Sequence, residues 1–259
     1  MNQRSAERWA PFVTAIALLL LWQFVCTVFK VADYIFPSPL TIVQALFEFA
    51  VPIAEAAWKT FWVTMVGFAI AIAVGVLLGF LVGSSRLAYA AIYPLLIGFN
   101  AVPKAAIVPI LIVWFSIGVG PGILTAFLTA FLISFFPVTV NIATGLATLE
   151  PELEDVLRVL GAKRWDVLIK VGLPRSMPYF YGSLKIAITL AFVGTVLAEM
   201  TAGDSGIGYL MQTAGSQQRM PLALAGLVVI GVMAMAMYEL FSWVEKSTTG
   251  WAHRGTQGG

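Results

Sequence analysis

Long apolar runs separated by short polar segments set the pattern of this chain. An α-helix needs about 20 apolar residues to cross the hydrocarbon core of a bilayer. The pattern predicts six membrane spans, at residues 10–29, 60–83, 103–118, 122–146, 178–200 and 221–243. Pro94 interrupts the apolar run at 87–102, and Pro103 follows this run. We therefore interpret 87–102 as a short helix at the membrane surface. One long kinked helix over 87–118 is the alternative.

The first run has the outline of a targeting signal, because Arg4 and Arg8 precede it. A cleaved signal has a shorter apolar stretch that ends at a small-residue cleavage site, and this run has no such site. Cys26 follows the bulky Val25, which does not favour lipid attachment. We therefore predict a retained first transmembrane helix.

Basic residues predict the orientation of the spans, since cytoplasmic loops of membrane proteins are enriched in Lys and Arg. With the N-terminus in the cytoplasm, 11 of the 15 Lys and Arg residues fall in cytoplasmic segments and 3 in external ones, and Lys185 lies within a span. Both termini are therefore expected in the cytoplasm of a bacterial cell with the chain crossing the inner membrane several times. The domain division is a transmembrane domain at 1–249 and a polar tail at 250–259.

Composition supports a membrane protein and removes several kinds of chemistry. The chain is 60% hydrophobic and 11% charged, with a mean hydropathy of +0.92, whereas soluble domains carry about 25% charged residues. A net charge of +2 gives no reason to expect a nucleic-acid partner. One cysteine, Cys26, allows no internal disulfide, and the single histidine, His253, lies in the polar tail. We expect no metal site, no cofactor and no catalytic residue in this chain.

Three external segments are short. The first, 30–59, contains Phe36-Pro37-Ser38-Pro39 and then an apolar-periodic stretch, which predicts an extended arm and a helix on the outer surface. A Gly/Pro turn at 118–121 forms the second. The third, 201–220, begins with several glycines at 203–208, which predict a tight turn before a short helix.

One cytoplasmic loop, 147–176, differs from all others because it holds 10 of the 28 charged residues. Pro151 and the acids around it favour a helix start, and Gly161 favours its end. A second short amphipathic helix is predicted from Lys163 to Val171, ending before Leu173-Pro174. The loop has more apolar residues than one solvated helix face needs, so it is interpreted either as a docking surface or as an interfacial helix–turn–helix on lipid headgroups.

The residues of this loop carry a resemblance to a known family. The run Asp155 to Ala162, followed by Val171-Gly172-Leu173-Pro174 with nine residues between Gly161 and Val171, is similar to the "EAA" motif of ABC-importer permeases. Gly161, Leu173 and Pro174 match in type and spacing, and Asp155 stands for the glutamate. Val156 and Leu157 depart from the motif, since the family prefers alanines there.

Further segments resemble the nitrate/sulfonate/taurine/bicarbonate group of these permeases: Phe36-Pro37-Ser38-Pro39, Val102-Pro103-Lys104, Trp114-Phe115-Ser116-Ile117-Gly118, Ala198-Glu199-Met200 and Gly206-Ile207-Gly208-Tyr209. The resemblance implies an all-α, type I importer permease fold. It also implies a homodimer, two cytoplasmic ABC ATPase subunits that bind ATP and Mg²⁺, and an extracytoplasmic substrate-binding protein. The solute expected from the resemblance is a small anion such as a sulfonate, taurine, nitrate or bicarbonate, although relatives that carry vitamin precursors share the same sequence pattern.

By the same resemblance, residues 152–162 form the coupling helix that fits a groove in the ATPase. The residues expected to dock the ATPase are Glu152, Glu154, Asp155, Val156, Leu157, Arg158, Leu160, Gly161, Ala162, Leu173 and Pro174. The chain contains no G-x-x-x-x-G-K-[ST] sequence, so ATP binding is assigned to the partner subunit.

Charged residues in the fifth span suggest a solute pathway. At helical spacing one face carries Lys185, Thr189, Phe192, Val196 and Glu199. This face is a candidate pathway lining with Lys185 as an anion contact; the alternative is that Lys185 extends to the inner headgroups. For Glu199 we favour a cap on the turn at Gly203–Gly208 over a solute contact or a contact with the binding protein.

Other functional classes fit the sequence less well. A self-sufficient secondary transporter or channel would favour ionisable pairs within the spans, and no acid lies close to Lys185 in sequence. A membrane enzyme needs a nucleophile–base pair or a metal cluster, and an ABC exporter half commonly carries a fused ATPase.

Overall fold

The structure, a computed structural model, describes residues 3–115, 121–148, 156–157 and 159–249. Throughout these ranges the regular structure is helical, with no strand. The α-helices are α1 (Gln3–Val28), α2 (Pro39–Glu48), α3 (Ala50–Gly83), α4 (Arg86–Ala101), α5 (Val108–Phe115), α6 (Pro121–Ala147), α7 (Arg164–Val167), α8 (Leu173–Ala202), α9 (Gly206–Ser216) and α10 (Met220–Thr248). A 3₁₀ turn, Lys104–Ile107, leads into α5, and a π turn, Leu168–Gly172, joins α7 to α8.

Five helical stretches of the described chain are long and apolar enough to cross a bilayer. They are Trp9–Val28, Ala50–Gly83, Gly122–Ala147, Trp165–Ala202 and Met220–Thr248. The second begins ten residues before the predicted start at 60. Its extra turns contain Pro52, which is tolerated because a helix needs no backbone N–H bond in its first turn. The charged pair Glu55 and Lys59 thus lies on helix, not in a loop.

The stretch around Pro103 is broken. The helices Arg86–Ala101 and Lys104–Phe115 meet at an angle of 75°, and together they qualify as a sixth, bent span or a re-entrant segment. Val102 and Pro103 at the break are extended, as the residue before a proline prefers. The break lies where the prolines predict it. Residues 116–118, which end the predicted span 103–118, lie outside the described ranges.

Helices α3, α6 and α8 form the centre of the bundle. Glycines of α3 let α6 approach closely: a Cβ at Gly75 would lie 2.8 Å from Val138 Cβ, and one at Gly79 would lie 2.7 Å from the Thr139 carbonyl oxygen. Gly75 and Gly79 have the small-xxx-small spacing that is typical of close contacts between membrane helices. Phe192 of α8 lies fully buried in the main apolar cluster, against Phe68 of α3 and Ile142 of α6.

The second helix of the cytoplasmic loop does not end before Leu173-Pro174, which corrects the prediction. Helix α7, the π turn and α8 form one helical stretch from Arg164 to Ala202. Pro174 lacks a donor and its ring clashes with the carbonyl four residues earlier in an α-helix. The wider π turn, in which the Leu173 N–H bonds the Leu168 carbonyl, accommodates this proline without a break.

Two short helices lie at the end of the bundle away from the loop 147–176, and we call this end the outer end. The first, α2, begins with Ser38 as its N-cap and Pro39 in the first turn, in agreement with the predicted arm and helix. Its Ile42 and Ala45 are buried against Ala225 of α10. The other, α9, follows a turn with Gly206 at φ +91°, as the glycines predict.

Candidate functional site

The first candidate site is the loop that the sequence predicts to dock an ATPase, of which the structure describes residues 156–157 and 159–172. We call these residues the docking loop. The Ala162 N–H donates to the Leu157 carbonyl (3.0 Å) across Gly161, whose φ is +86°. This bond and the left-handed glycine are a Schellman motif, the arrangement that commonly terminates a helix. Gly161 therefore ends the loop helix as predicted, and a residue with a Cβ would be strained there.

Apolar side chains of the docking loop are exposed. Leu160 is 76% exposed, and Val156, Val159 and Ile169 are also exposed. Trp165 has an intramolecular partner, since its ring stacks on Phe80 of α3 with centroids 5.9 Å apart. An open groove of about 290 Å³ runs beside the helix end, lined by Leu157, Leu160, Gly161, Ala162, Asp166, Val167, Lys170 and Val171. The loop thus presents an apolar ridge beside a groove with charged edges.

Not all predicted docking residues can be placed. Glu152, Glu154, Asp155 and Arg158 lie outside the described residues. Leu173 and Pro174 are the first two residues of α8, and they do not line the groove. The structure brings together Leu157, Leu160, Gly161 and Ala162.

The predicted pathway face of α8 is not one accessible surface of the single chain. Thr189 is exposed and Val196 is partly exposed, but Phe192 lies in the apolar core and Glu199 is only 4% exposed. Lys185 is partly buried, and its Nζ lies 2.6 Å from Glu245 Oε2 at the inner end of α10. The Lys185 ammonium also lies 5.8 Å from the ring centroid of Tyr238.

Glu199 is the centre of a buried polar network at the outer end. Both of its carboxylate oxygens lie 2.9 Å from Thr60 Oγ1, and Oε2 accepts from the Gly208 N–H (2.9 Å). Thr60 Oγ1 in turn accepts from the Ile207 N–H (2.8 Å). A Cβ at Gly206 would overlap the Glu199 carboxylate, so only glycine allows this approach. The cap role that we favour for Glu199 is confirmed, with Thr60 as a second capping group.

A cavity of about 320 Å³ opens beside this network at the outer end. Trp58, Lys59, Trp62 and Val63 of α3 form one wall. The start of α6, Glu199, and the turn Gly203-Asp204-Ser205 form the others. Gly122 permits the turn to lie close, because a Cβ there would be 2.9 Å from the Ala202 carbonyl oxygen. We call this space the outer cavity.

Sequence reasoning did not find Thr60, Glu245 or the two cavity tryptophans. Glu245 is 60 residues from Lys185, so only the packing of α8 against α10 brings the charges together. Thr60 was taken as the edge of a span, whereas it lies fully buried three turns into α3. The i, i+4 spacing of Trp58 and Trp62 was the available signal for a shared aromatic face.

The site and fold define an all-α integral membrane permease. The profile of the family described as "Binding-protein-dependent transport system inner membrane component" matches residues 71–249. A probable ABC transporter permease of Haemophilus influenzae is 32% identical, covering 90% of this chain and 94% of its own. The chain therefore belongs to this family, and it is the multi-pass membrane permease subunit of an ABC importer.

Other relatives have different solutes in their names. A nitrate import permease of Leptolyngbya laminosa is 31% identical over 90% of this chain and 86% of its own. A formylaminopyrimidine transport permease of Halalkalibacterium halodurans is 25% identical over 96% of this chain and 98% of its own. The inward-facing MetNI methionine ABC transporter aligns with a TM-score of 0.54 at 18% identity, covering 78% of this chain and 97% of that chain. This last likeness shows the type I importer fold.

Proposed function

We propose that this chain carries a small solute by alternating access, and that a separate ATPase drives it through the docking loop. The observation that carries the proposal is the exposed apolar ridge at Val156, Val159 and Leu160, which ends at Gly161. Apolar patches exposed beside polar groups are typical of protein interfaces. The second half of the loop, from Arg164, continues without a break into α8. A displacement of the ridge would therefore be passed through the turn at Gly161 to the centre of the bundle.

The partner set follows from this division of labour. Two copies of the chain would enclose the pathway between them, since one copy has few spans for a closed channel. Two cytoplasmic ATPases, with ATP and Mg²⁺ bound to them, would dock on the two loops. An extracytoplasmic binding protein would deliver the solute at the outer end, and both termini of the chain would lie in the cytoplasm.

The pathway residues stay a proposal. Lys185, Thr189 and Val196 of α8 have side chains that are at least partly accessible in the single chain. In a dimer they could line the space between the two copies, whereas Phe192 and Glu199 serve the packing of one copy. The relatives that carry nitrate and formylaminopyrimidine differ in solute chemistry, so the family alone leaves the small-anion expectation untested.

Co-purification tests the docking loop. An epitope-tagged chain, expressed in its native host and extracted in detergent, is compared with Leu160→Asp. We expect the ATPase to co-purify with the intact chain and to be lost, by tenfold or more, with Leu160→Asp, because a carboxylate would be buried at the interface. Leu160→Met is the matched control, since it keeps an apolar side chain of similar volume.

Two outcomes would contradict the proposal. If no ATPase co-purifies with the intact chain, the loop is an interfacial helix and a self-sufficient secondary transporter or channel becomes the better explanation. If Leu160→Asp retains the ATPase as well as Leu160→Met does, the ridge is not the docking surface. Equal yields of the three proteins in the membrane fraction show that Leu160→Asp still folds.

A further inference from the structure

We propose that the break at Val102-Pro103, between α4 and α5, lines the solute pathway at the middle of the membrane, and that Lys104 there attracts anions. The inference rests on the proposed importer function, because it names a residue of the pathway. It gives Lys104 the role of anion contact that the sequence suggests for Lys185. The charge of Lys185 is balanced by Glu245, whereas no carboxylate among the described residues pairs with Lys104.

Lys104 lies at mid-depth in the bundle, although the orientation count from the sequence places it in a cytoplasmic segment. Its Nζ lies 5.2 Å from the ring centroid of Phe136, which is near the middle of α6. Four residues later along the chain, Val108 packs with Ala126 in the outer half of α6. The break therefore places an ammonium about half-way between the two ends of the bundle.

The described neighbours of the Lys104 ammonium are neutral. Nζ donates to Asn100 Oδ1 (2.6 Å), lies 3.5 Å from the Asn100 carbonyl oxygen, and sits over the Phe136 ring. These contacts orient the ammonium but do not cancel its charge. A charged side chain inside a membrane is costly, and such residues commonly mark the path of a solute or an ion.

Lipid is not a suitable neighbour for this charge. The hydrocarbon core is about 30 Å thick, so headgroups lie about 15 Å from its middle. A lysine stem extends to headgroups only near the ends of a span, and this one turns to Asn100 instead. Helix α4 has no buried residue and Lys104 is only partly buried, so the chain itself does not cover the break.

The backbone at the break also needs a polar environment. Val102 and Pro103 are extended and exposed in the single chain. Irregular backbone at membrane depth occurs only where protein buries it or where it lines a water-filled cavity, because lipid offers no hydrogen-bond partner. Broken helices near the middle of the bilayer are typical of solute sites in transporters.

A second copy of the chain is the other neighbour to consider. Glu199 caps α9 and Glu245 pairs with Lys185, so these two carboxylates are already engaged. Glu239 of α10 is exposed and is a carboxylate that a second copy could present. A salt bridge between two helices needs no unwound backbone, however, so it leaves the break unexplained. The geometry therefore favours a water-filled pathway, in which an anionic solute provides the missing negative charge.

Charged thiol reagents measure water access and electrostatic potential at the break without knowledge of the solute. In a Cys26→Ser background, Ala105→Cys places a thiol on the exposed residue next to Lys104. The permease–ATPase complex is reconstituted in nanodiscs, where both faces are open to solution. Sulfonatoethyl and trimethylammonioethyl methanethiosulfonate are the anionic and cationic probes, and mass spectrometry of the permease gives their reaction rates.

We expect both reagents to react, and the ratio of the anionic to the cationic rate to fall about tenfold in Lys104→Met. Removal of a unit charge about 6 Å from the thiol changes the two rates in opposite directions, which together gives this factor in water. Lys104→Arg keeps the charge and should keep the ratio. Ser216→Cys at the outer end is the control thiol, at which Lys104→Met should leave the ratio unchanged.

Three results would overturn the proposal. If neither reagent reacts with Ala105→Cys, the break faces lipid or a packed subunit. If Lys104→Met leaves the ratio at Ala105→Cys unchanged, Lys104 does not attract anions there. If Glu239→Gln raises the ratio severalfold, a carboxylate of a second copy neutralises Lys104, whereas the pathway interpretation expects no change from Glu239→Gln.

The ATPase content of each preparation separates this proposal from the importer function. A complex that retains its ATPase but fails the charge test contradicts the role of Lys104 alone. A chain that never associates with an ATPase contradicts the importer function, whatever the rates at the break.

Discussion

At the scale of single residues, Lys185 shows how an ion pair stabilises a charged side chain inside the helix bundle. Its ammonium pairs with Glu245 at 2.6 Å, and both side chains are partly buried. Removal of one member of a buried ion pair leaves a charge without compensation, which costs more than removal of both. The pair therefore explains why a lysine is tolerated on α8, and it gives Lys185 a structural role besides any contact with solute.

Lys185→Met should destabilise the protein by about 3 kcal/mol, the lower part of the range for breaking a buried pair, because both side chains keep some access to water. The double variant Lys185→Met/Glu245→Met should recover most of this loss, since no unpaired charge is left. Thermal unfolding in detergent measures both. Equal stability of the single variant and the intact chain would contradict a structural pair.

The same variants separate structure from transport. If the double variant is stable yet fails to take up solute in proteoliposomes that contain the ATPase, Lys185 contacts the solute as the pathway interpretation expects. If uptake returns together with stability, the contribution of Lys185 lies in the ion pair with Glu245.

At the scale of elements, the attachment of α9 depends on two side chains from other helices. The first N–H groups of a helix have no partner within it. The Ile207 and Gly208 N–H groups instead bond Thr60 of α3 and Glu199 of α8. A carboxylate near the positive end of the helix dipole adds to the stabilisation. These bonds join three helices beside the outer cavity.

Thr60→Val and Glu199→Leu should each release the start of α9, because each leaves a buried N–H group without an acceptor at a cost of about 1–3 kcal/mol. Hydrogen exchange of a peptide covering 204–212 should become faster by tenfold or more in both variants. Glu199→Gln should exchange slowly, since its amide oxygen can accept from Gly208. Glu55→Leu, an exposed carboxylate on the same end of α3, is the control.

A result in which Thr60→Val exchanges like the control would show that apolar packing alone holds α9. The packing of Gly226 of α10 against Ile207 and Met211 provides such an alternative attachment.

Sequence patterns predicted those elements whose cause is local. Apolar runs predicted the long helices, the apolar-periodic stretch after Pro39 predicted α2, and Gly161 predicted the end of the loop helix. Pro174 misled the prediction, because a π turn can accommodate a proline that an α-helix cannot. The start of α3 was placed ten residues late, since a charged pair at Glu55 and Lys59 resembles a loop as much as the polar end of a helix.

The candidate sites also differ in whether their cause is local in the sequence. The end of the loop helix at Gly161 was predictable because its motif is continuous in sequence. The Thr60–Glu199 network and the Lys185–Glu245 pair join residues 139 and 60 positions apart, so they depend on how the helices pack. A pattern along one chain does not contain that information.

At the scale of the whole molecule, burial is uneven among the spans. In the most apolar part of each stretch, 50% of the residues are buried in Gly122–Ala147 and 44% in Trp165–Ala202, whereas 6% are buried in Trp9–Val28. Apolar surface left uncovered by the chain itself must face lipid or another subunit. Helix α1 is thus peripheral in the single chain, and the centre of the bundle is formed by helices with small residues at their contacts.

The number and direction of the crossings can be tested in the whole chain by cysteine labelling. In a Cys26→Ser background, Asp33→Cys and Ser216→Cys place single thiols on exposed positions at the outer end, and Ser247→Cys places one at the inner end of α10. If both termini are cytoplasmic, a membrane-impermeant maleimide should label the first two in intact spheroplasts and the third only after lysis. The parent Cys26→Ser protein should stay unlabelled.

Labelling of Asp33→Cys and Ser216→Cys also shows whether the bent pair α4–α5 crosses the membrane. Three unbroken spans, α3, α6 and α8, separate these positions, so the two thiols lie on the same side only if the pair crosses the membrane as well. Opposite accessibility would mean that the 75° bend is re-entrant and that the chain crosses five times. Labelling of Ser247→Cys in intact spheroplasts would instead place the C-terminus outside and would move the docking loop away from any cytoplasmic ATPase.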